Sequence, residues 1–324
     1  MAMQRRTFLM ALGGLAALQG RAHAAEALFR QPLRMVVPAS PGGFTDIAAR
    51  MLADKMTTSL GQSVVIDNRA GASGMIGAEA VARAAPDGTT LVMGSIQSHS
   101  VNSGLFKNMS YDVMRDFMPV TRVAMGYTVL VVPAASPVRD LRGLIDLAKK
   151  QPGVLTYGSG GAGASSHLCA EMLRQKAGID LLHVPYKGTA PAVQALLGGQ
   201  VSMLFDTIPS ALPHVKAGTL RALAVTAANR LPALPDVPAV AELLPGFEMA
   251  VWVGVYAPTG TPSRLVDGLD REIQAILRDP AVVQRFDQLG FAALPLGPRD
   301  FGDFTRAEIA KWGEVIRVGK ITAE

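Results

Sequence analysis

Two glycine-rich stretches each follow a short apolar run and precede a helical pattern. They are Ser40-Pro41-Gly42-Gly43-Phe44-Thr45-Asp46 and Tyr157-Gly158-Ser159-Gly160-Gly161-Ala162-Gly163-Ala164-Ser165-Ser166. A strand that empties through glycines into a helix start presents main-chain N–H groups to whatever binds there. Around the first loop the pattern reads strand 33–37, helix 46–60, strand 63–68, helix 76–84 and strand 90–94, with Pro86-Asp87-Gly88 as the turn. Alternation at this spacing is a repeated βαβ unit, hence a parallel sheet covered by helices.

A second cycle begins near Tyr127. It runs strand 127–132, helix 141–150, strand 155–157, the second glycine loop with its helix to Ala177, strand 182–184, helix 190–197, strand 201–205, helix 211–217 and strand 220–225. Strand 249–256 then returns the chain to the first unit, followed by helices 265–277 and 301–318. About 300 residues exceed one core, so two domains are expected. The fold class is α/β: a two-domain, flytrap-like architecture with a mainly parallel sheet in each domain and two crossovers. The boundaries read 25–125 plus 247–324 for domain 1 and 126–246 for domain 2. Function is expected in the crevice between them, at strand C-termini.

Residues 1–24 read as an export signal. Arg5-Arg6 leads into Thr7-Phe8-Leu9-Met10, an apolar run to Leu18 and the small-residue site Ala22-His23-Ala24, so cleavage is expected at Ala24/Ala25. Arg-Arg-x-Phe-Leu has the form of a twin-arginine signal; an ordinary secretory signal with adjacent arginines fits as well. The run is too short to span a bilayer, and no lipobox cysteine is present, so a soluble periplasmic protein is expected.

Composition narrows the partners. Net charge is +5 and becomes +2 once Arg5, Arg6 and Arg21 are removed. No Lys/Arg block occurs, which argues against nucleic acid. Cys169 is the single cysteine and reads as a small buried hydrophobe. The five histidines, His23, His99, His167, His183 and His214, show no metal-ligand spacing, so neither a metal nor a cofactor is expected. Gly158-Ser159-Gly160 lacks the spacing of a nucleophile elbow. A Ser159–His183–Asp206 triad would make an exported hydrolase, the alternative to a binding protein.

The loops carry the binding reading. Gly42 and Gly43 let a ligand approach the main chain, and Thr45 and Asp46 cap the following helix. Asp46 would repel an anion, so it belongs to capping or to a donor on the ligand. Phe44 packs either against the ligand body or against the neighbouring helix. In the second loop Gly158, Ser159, Gly160, Gly161, Ser165 and Ser166 offer a nest of amides and hydroxyls. Each loop also suits a plain tight turn. Ser98, His99 and Asn102 follow the third strand, and Asp206 follows strand 201–205, all where a parallel sheet opens towards a cleft.

Taken together, a series of short segments resembles one family. They are Pro41-Gly42-Gly43 with Asp46 and Arg50, Asn68-Arg69-Ala70-Gly71-Ala72, Tyr111-Asp112, His183-Val184-Pro185-Tyr186-Lys187-Gly188, Leu197-Gly198-Gly199-Gln200, Leu234-Pro235-Asp236-Val237-Pro238 and Ala257-Pro258-Thr259-Gly260-Thr261-Pro262. The chain resembles the periplasmic receptors of tripartite tricarboxylate transporters, the Bug-type receptors, from about Pro32 onward. The resemblance implies a monomeric receptor that closes on a small carboxylate and hands it to membrane permease subunits; some members serve a sensor instead. It also implies ligand contacts at the first loop, at Ser98, His99 and Asn102, at Gly158 to Ser166 and at Asp206. Phe44, where many members carry a small residue, and the small Ala162-Gly163-Ala164 are departures.

Overall fold

The computed structural model describes residues 29–322 apart from 30 and 187; the export signal and its cleavage site lie outside the described residues. The first cycle comprises β1 (Leu33–Val37), α1 (Phe44–Leu60), β2 (Val64–Asn68), α2 (Met75–Ala82) and β3 (Thr90–Ser95). A π-helical turn, Gln97–Val101, and two short helices, α3 (Asn102–Leu105) and α4 (Val113–Asp116), lead into the 17-residue β4 (Phe117–Pro133). The second cycle comprises α5 (Leu141–Lys150), β5 (Thr156–Ser159), α6 (Ser165–Ala177), β6 (Leu182–Pro185), α7 (Thr189–Leu197), β7 (Met203–Thr207), α8 (Ile208–Lys216) and β8 (Leu220–Val225). The chain ends with β9 (Ala250–Pro258), α9 (Ser263–Leu277), α10 (Pro280–Gln288), β10 (Phe291–Leu296) and α11 (Pro298–Gly319).

β4 belongs to two sheets. Its first half pairs with β9 and β10, completing the order β2-β1-β3-β9-β4-β10; its second half pairs with β7 and β8, completing β6-β5-β7-β4-β8. The two-domain α/β class holds, but the sheets are mixed rather than mainly parallel. Parallel pairing is confined to β1 with β2 and β3, and β5 with β6 and β7. Every pair that includes β4 or β9 is antiparallel. The cause is the crossovers themselves: β4 carries the chain out of one sheet and β9 brings it back alongside, so β9 runs against β3 in the first sheet and β4 against β7 in the second.

The two crossovers are bonded to each other. Tyr127 of β4 lies opposite Ala250 of β9. The fully buried Thr226 joins them: its hydroxyl accepts from the Thr128 amide at 2.9 Å and donates to the Met249 carbonyl at 2.7 Å. Behind this junction one apolar cluster runs through both lobes, with Phe205, Cys169 and Leu173 on one side and Trp252, Phe301 and Trp312 on the other. The indole N–H groups of Trp252 and Trp312 both donate to Glu308 Oε2, at 3.0 and 2.9 Å, so these large rings are buried without an orphaned donor. α11 also reaches the second lobe, where Gln175 Nε2 donates to the Val315 carbonyl at 2.9 Å. Cys169 is fully buried, and burial pushes its thiol up to about 12, as a small core hydrophobe requires.

Candidate functional site

Three helices start at one place. α1 begins at Phe44 after Gly43, α6 at Ser165 after Ala164, and α8 at Ile208 after Thr207. None of the three receives a side-chain cap, whereas Asp140 and Asp279 cap α5 and α10. The first N–H groups of a helix have no intrahelical acceptor, and the aligned peptide dipoles place partial positive charge there. The three starts surround a cavity of about 310 Å³. Thr45, Ser95, Gln97, Ser165 and Thr207 form its polar wall. Phe44, Phe291, Trp252, Leu168 and the Val251–Val253 stretch of β9 form its apolar wall, and among the described residues none that lines it carries a charge.

The first loop is held rigid from behind. Asp46 is 2% exposed and spends both carboxylate oxygens on the fold: Oδ2 accepts from the Gly42 amide at 2.9 Å and from Arg50 Nε at 3.0 Å, and Oδ1 accepts from Asn68 Nδ2 at 2.8 Å. Burial raises its pKa, but hydrogen bonds from Arg50, Gly42 and Asn68 outweigh that and leave it below the ordinary value. Asp46 is therefore a brace that fixes Gly42, at φ +84°, and leaves Phe44 and Thr45 facing the cavity. It makes no cap hydrogen bond to α1, the first of the two roles expected for it.

A model of the tripartite tricarboxylate transporter family receptor matches residues 48–320. The UPF0065 protein in the tcbD-tcbE intergenic region of Pseudomonas sp. (strain P51) is 41% identical over 298 residues, covering 91% of this chain and 88% of that relative. The chain belongs to the tripartite tricarboxylate transporter receptor family. Among solved structures, Rpa4515 of R. palustris with adipate superposes with a TM-score of 0.79 at 36% identity, covering 90% of this receptor and 98% of that chain. MatC (Rpa3494) from Rhodopseudomonas palustris with bound malate gives 0.74 at 33% identity, covering 89% and 99%. Such proteins are solute-binding receptors and not enzymes, and the hydrolase alternative fails on the receptor's own geometry too. Ser159 Oγ does lie 2.6 Å from His183 Nε2, but Ser159 is fully buried and also bonds Gly161. Among the described residues no hydrogen bond joins Asp206 to His183.

The receptor uses its second loop differently from the expected nest. Ser166 Oγ accepts from the Gly160 amide at 3.0 Å, and Ser159 Oγ accepts from the Gly161 amide at 3.1 Å, so these groups brace the loop internally. Gly158, Ser159, Gly160, Gly161 and Ser166 are therefore absent from the cavity wall; Ala164 and Ser165 are what the loop presents. The Gly163 amide donates to His167 Nδ1 at 3.0 Å, and His167 stacks on His183 with centroids 3.9 Å apart. Both imidazoles are kept neutral chiefly by burial, His167 with its pKa pushed down to about 3.

Ser98, His99 and Asn102 also lie behind the wall rather than on it. All three are buried: Ser98 accepts from the Ser95 amide, Asn102 donates to the Ser73 carbonyl at 2.9 Å, and His99 stacks on Tyr256 with centroids 4.2 Å apart. The π-helical turn is the reason. It holds one more residue per turn than an α-helix, which turns Ile96, Gln97 and Val101 towards the cavity and His99 away. Asp206 sits directly behind Thr207, 1% exposed. Its Oδ1 accepts from the Thr207 amide at 2.8 Å, its Oδ2 has no partner, and burial raises its pKa. Gln97, Trp252 and Phe291 were not expected on the wall. Thr207 and Trp252 carried a sequence signal, since each lies at or beside a crossover or strand end; Phe291 carried none.

Proposed function

We propose that this receptor captures a small carboxylate in the periplasm and delivers it to the membrane subunits of a tripartite tricarboxylate transporter. The observation that carries the reading is the convergence of three uncapped helix starts and five neutral polar side chains on one cavity. A carboxylate there replaces water with fixed N–H and O–H donors, the arrangement that suits an anion without a counter-cation. The adipate and malate carried by Rpa4515 and MatC support the same ligand class.

Within this reading the ligand is held by Thr45 and the Gly43–Thr45 main chain on one side, and by Ser165 and Thr207 on the other. The domains divide as 25–125 plus 247–324 against 126–246, which is supported by β4 changing sheets at Gly126–Tyr127 and by β9 starting at Ala250. The signal is removed at Ala24/Ala25, with the twin arginines directing export, and the mature receptor acts as a monomer. Calorimetric titration of the mature protein with a panel of mono-, di- and tricarboxylates is expected to give one-to-one binding with no turnover. Absence of heat from every member would overturn the reading.

A further inference from the structure

The cavity's polar and apolar walls are unequal, and the inequality bears on which carboxylate fits. Phe44 and Phe291 stack nearly parallel, 12° apart with centroids at 3.6 Å, so that one face of each ring covers the other and the pair forms one aromatic block. Both rings line the cavity. Phe291 is fixed by the absence of a side chain on the neighbouring strand, since a β-carbon at Gly126 would collide with its ring. Trp252 presents only carbon to the ligand, because its indole N–H is spent on Glu308. The apolar wall is thus preformed and offers no hydrogen bond.

Among the described residues the polar wall offers no cation. Arg50, the cation nearest the first loop in sequence, is turned outward onto Asp46 and Asn68. His99 and His167, close behind the wall, are neutral. Asp206 stands behind Thr207 with an unpartnered, buried oxygen, so a second anionic group on that side meets an acid rather than a base. A hydroxyl or further carboxylate turned towards Phe44, Phe291 or Trp252 would lose its water and gain no partner.

We infer that the receptor selects a monocarboxylate with an apolar, preferably flat, body over hydroxylated di- and tricarboxylates, with Phe44 and Phe291 as the selecting residues. This inference rests on the carboxylate reading above. The carboxylate lies among the helix starts, and the body lies along the aromatic surface. An aryl or alkyl body gains by dispersion and burial there, while a hydroxy-acid of the same size does not.

The test is calorimetric titration of the mature receptor with benzoate, phenylacetate, malate and citrate, repeated on Phe44→Ser and Phe291→Ser. The wild type is expected to bind at least one of the two aryl acids roughly ten- to a hundredfold more tightly than malate or citrate, the range that shape and polarity matching reaches in apolar pockets. Either substitution is expected to shrink that ratio several-fold; a merely structural role would weaken all four acids alike. Malate or citrate binding as tightly as the aryl acids, or variants that keep the ratio, would overturn the inference while leaving the carboxylate reading intact. No binding by any of the four, with binding by another carboxylate class, would also overturn it. No binding by any carboxylate at all would overturn both.

Discussion

Gly163→Val is expected to weaken ligand binding by about ten- to a hundredfold while leaving the receptor folded. Gly163 lies at φ +73° at the start of the turn that feeds α6, and it is buried against Leu105 of α3 across the cleft. A β-carbon there would lie 2.6 Å from Leu105 Cδ2. A larger side chain forced into such a contact costs about 1–3 kcal/mol, and because the two lobes meet at this point the cost falls on the closed state. At 1.4 kcal/mol per decade that is the stated loss in affinity. The left-handed backbone costs a further 1–2 kcal/mol or so of stability whether the lobes are open or closed. Calorimetry on the single variant and on Gly163→Val with Leu105→Ala separates the two terms. The double variant should regain affinity and not stability. Unchanged affinity in the single variant would mean that this contact plays no part in closure.

Acid is expected to destabilise the receptor well before its carboxylates titrate. His99 is fully buried and burial pushes its pKa down to about 3; His167 is likewise pushed to about 3 by burial, then by the charges of His183 and Arg174. The unfolded chain takes up protons on both as pH drops below about 6.5, and the folded chain refuses them. Stability from these groups is complete above pH 6.5 and falls as pH is lowered towards 3, by up to about 1.4 kcal/mol per pH unit for each histidine. At pH 5 the pair amounts to about 4 kcal/mol, or roughly 8–16 °C in melting temperature for a protein of this size. His183, lowered mainly by burial, adds in the same direction. His99→Phe suits the aromatic surroundings of Phe117 and Tyr256 and removes a ring nitrogen that has no partner. It should lower the slope of melting temperature against pH, by less than half because His167 and His183 remain. A flat profile from pH 7 to 5 in the natural protein would contradict this account.

The βαβ cycles, both glycine loops and the return of the chain near residue 250 were legible because hydrophobic periodicity and glycine placement are local signals. What local signals could not show is which way a polar residue turns. Ser98, His99 and Asn102 follow a strand end, the right address for a cleft, and one π-helical turn rotated them into the core. Asp46 had the composition of a cap, and only the approach of Asn68 from β2 and Arg50 one turn on shows it to be a brace. The first half of β4 escaped notice because Pro119 and two register shifts interrupt its alternation. α10 and β10 escaped notice as well. The run Phe291–Leu296 is short and carries a proline, and it becomes a strand only because β4 offers it an edge. With it went Phe291, half of the aromatic surface in the cavity. Tertiary pairing, not propensity, made that element.

In the proposed complex the starts of α1, α6 and α8 grip one and the same carboxylate. Amide chemical shifts of the ¹⁵N-labelled mature receptor, followed through titration with a bound carboxylate, test it most directly. The amides of Thr45, Ser165 and Ile208 are expected to move together, with a single dissociation constant and one-to-one stoichiometry. Saturable binding that moves only one of the three, or moves them with different constants, would contradict it.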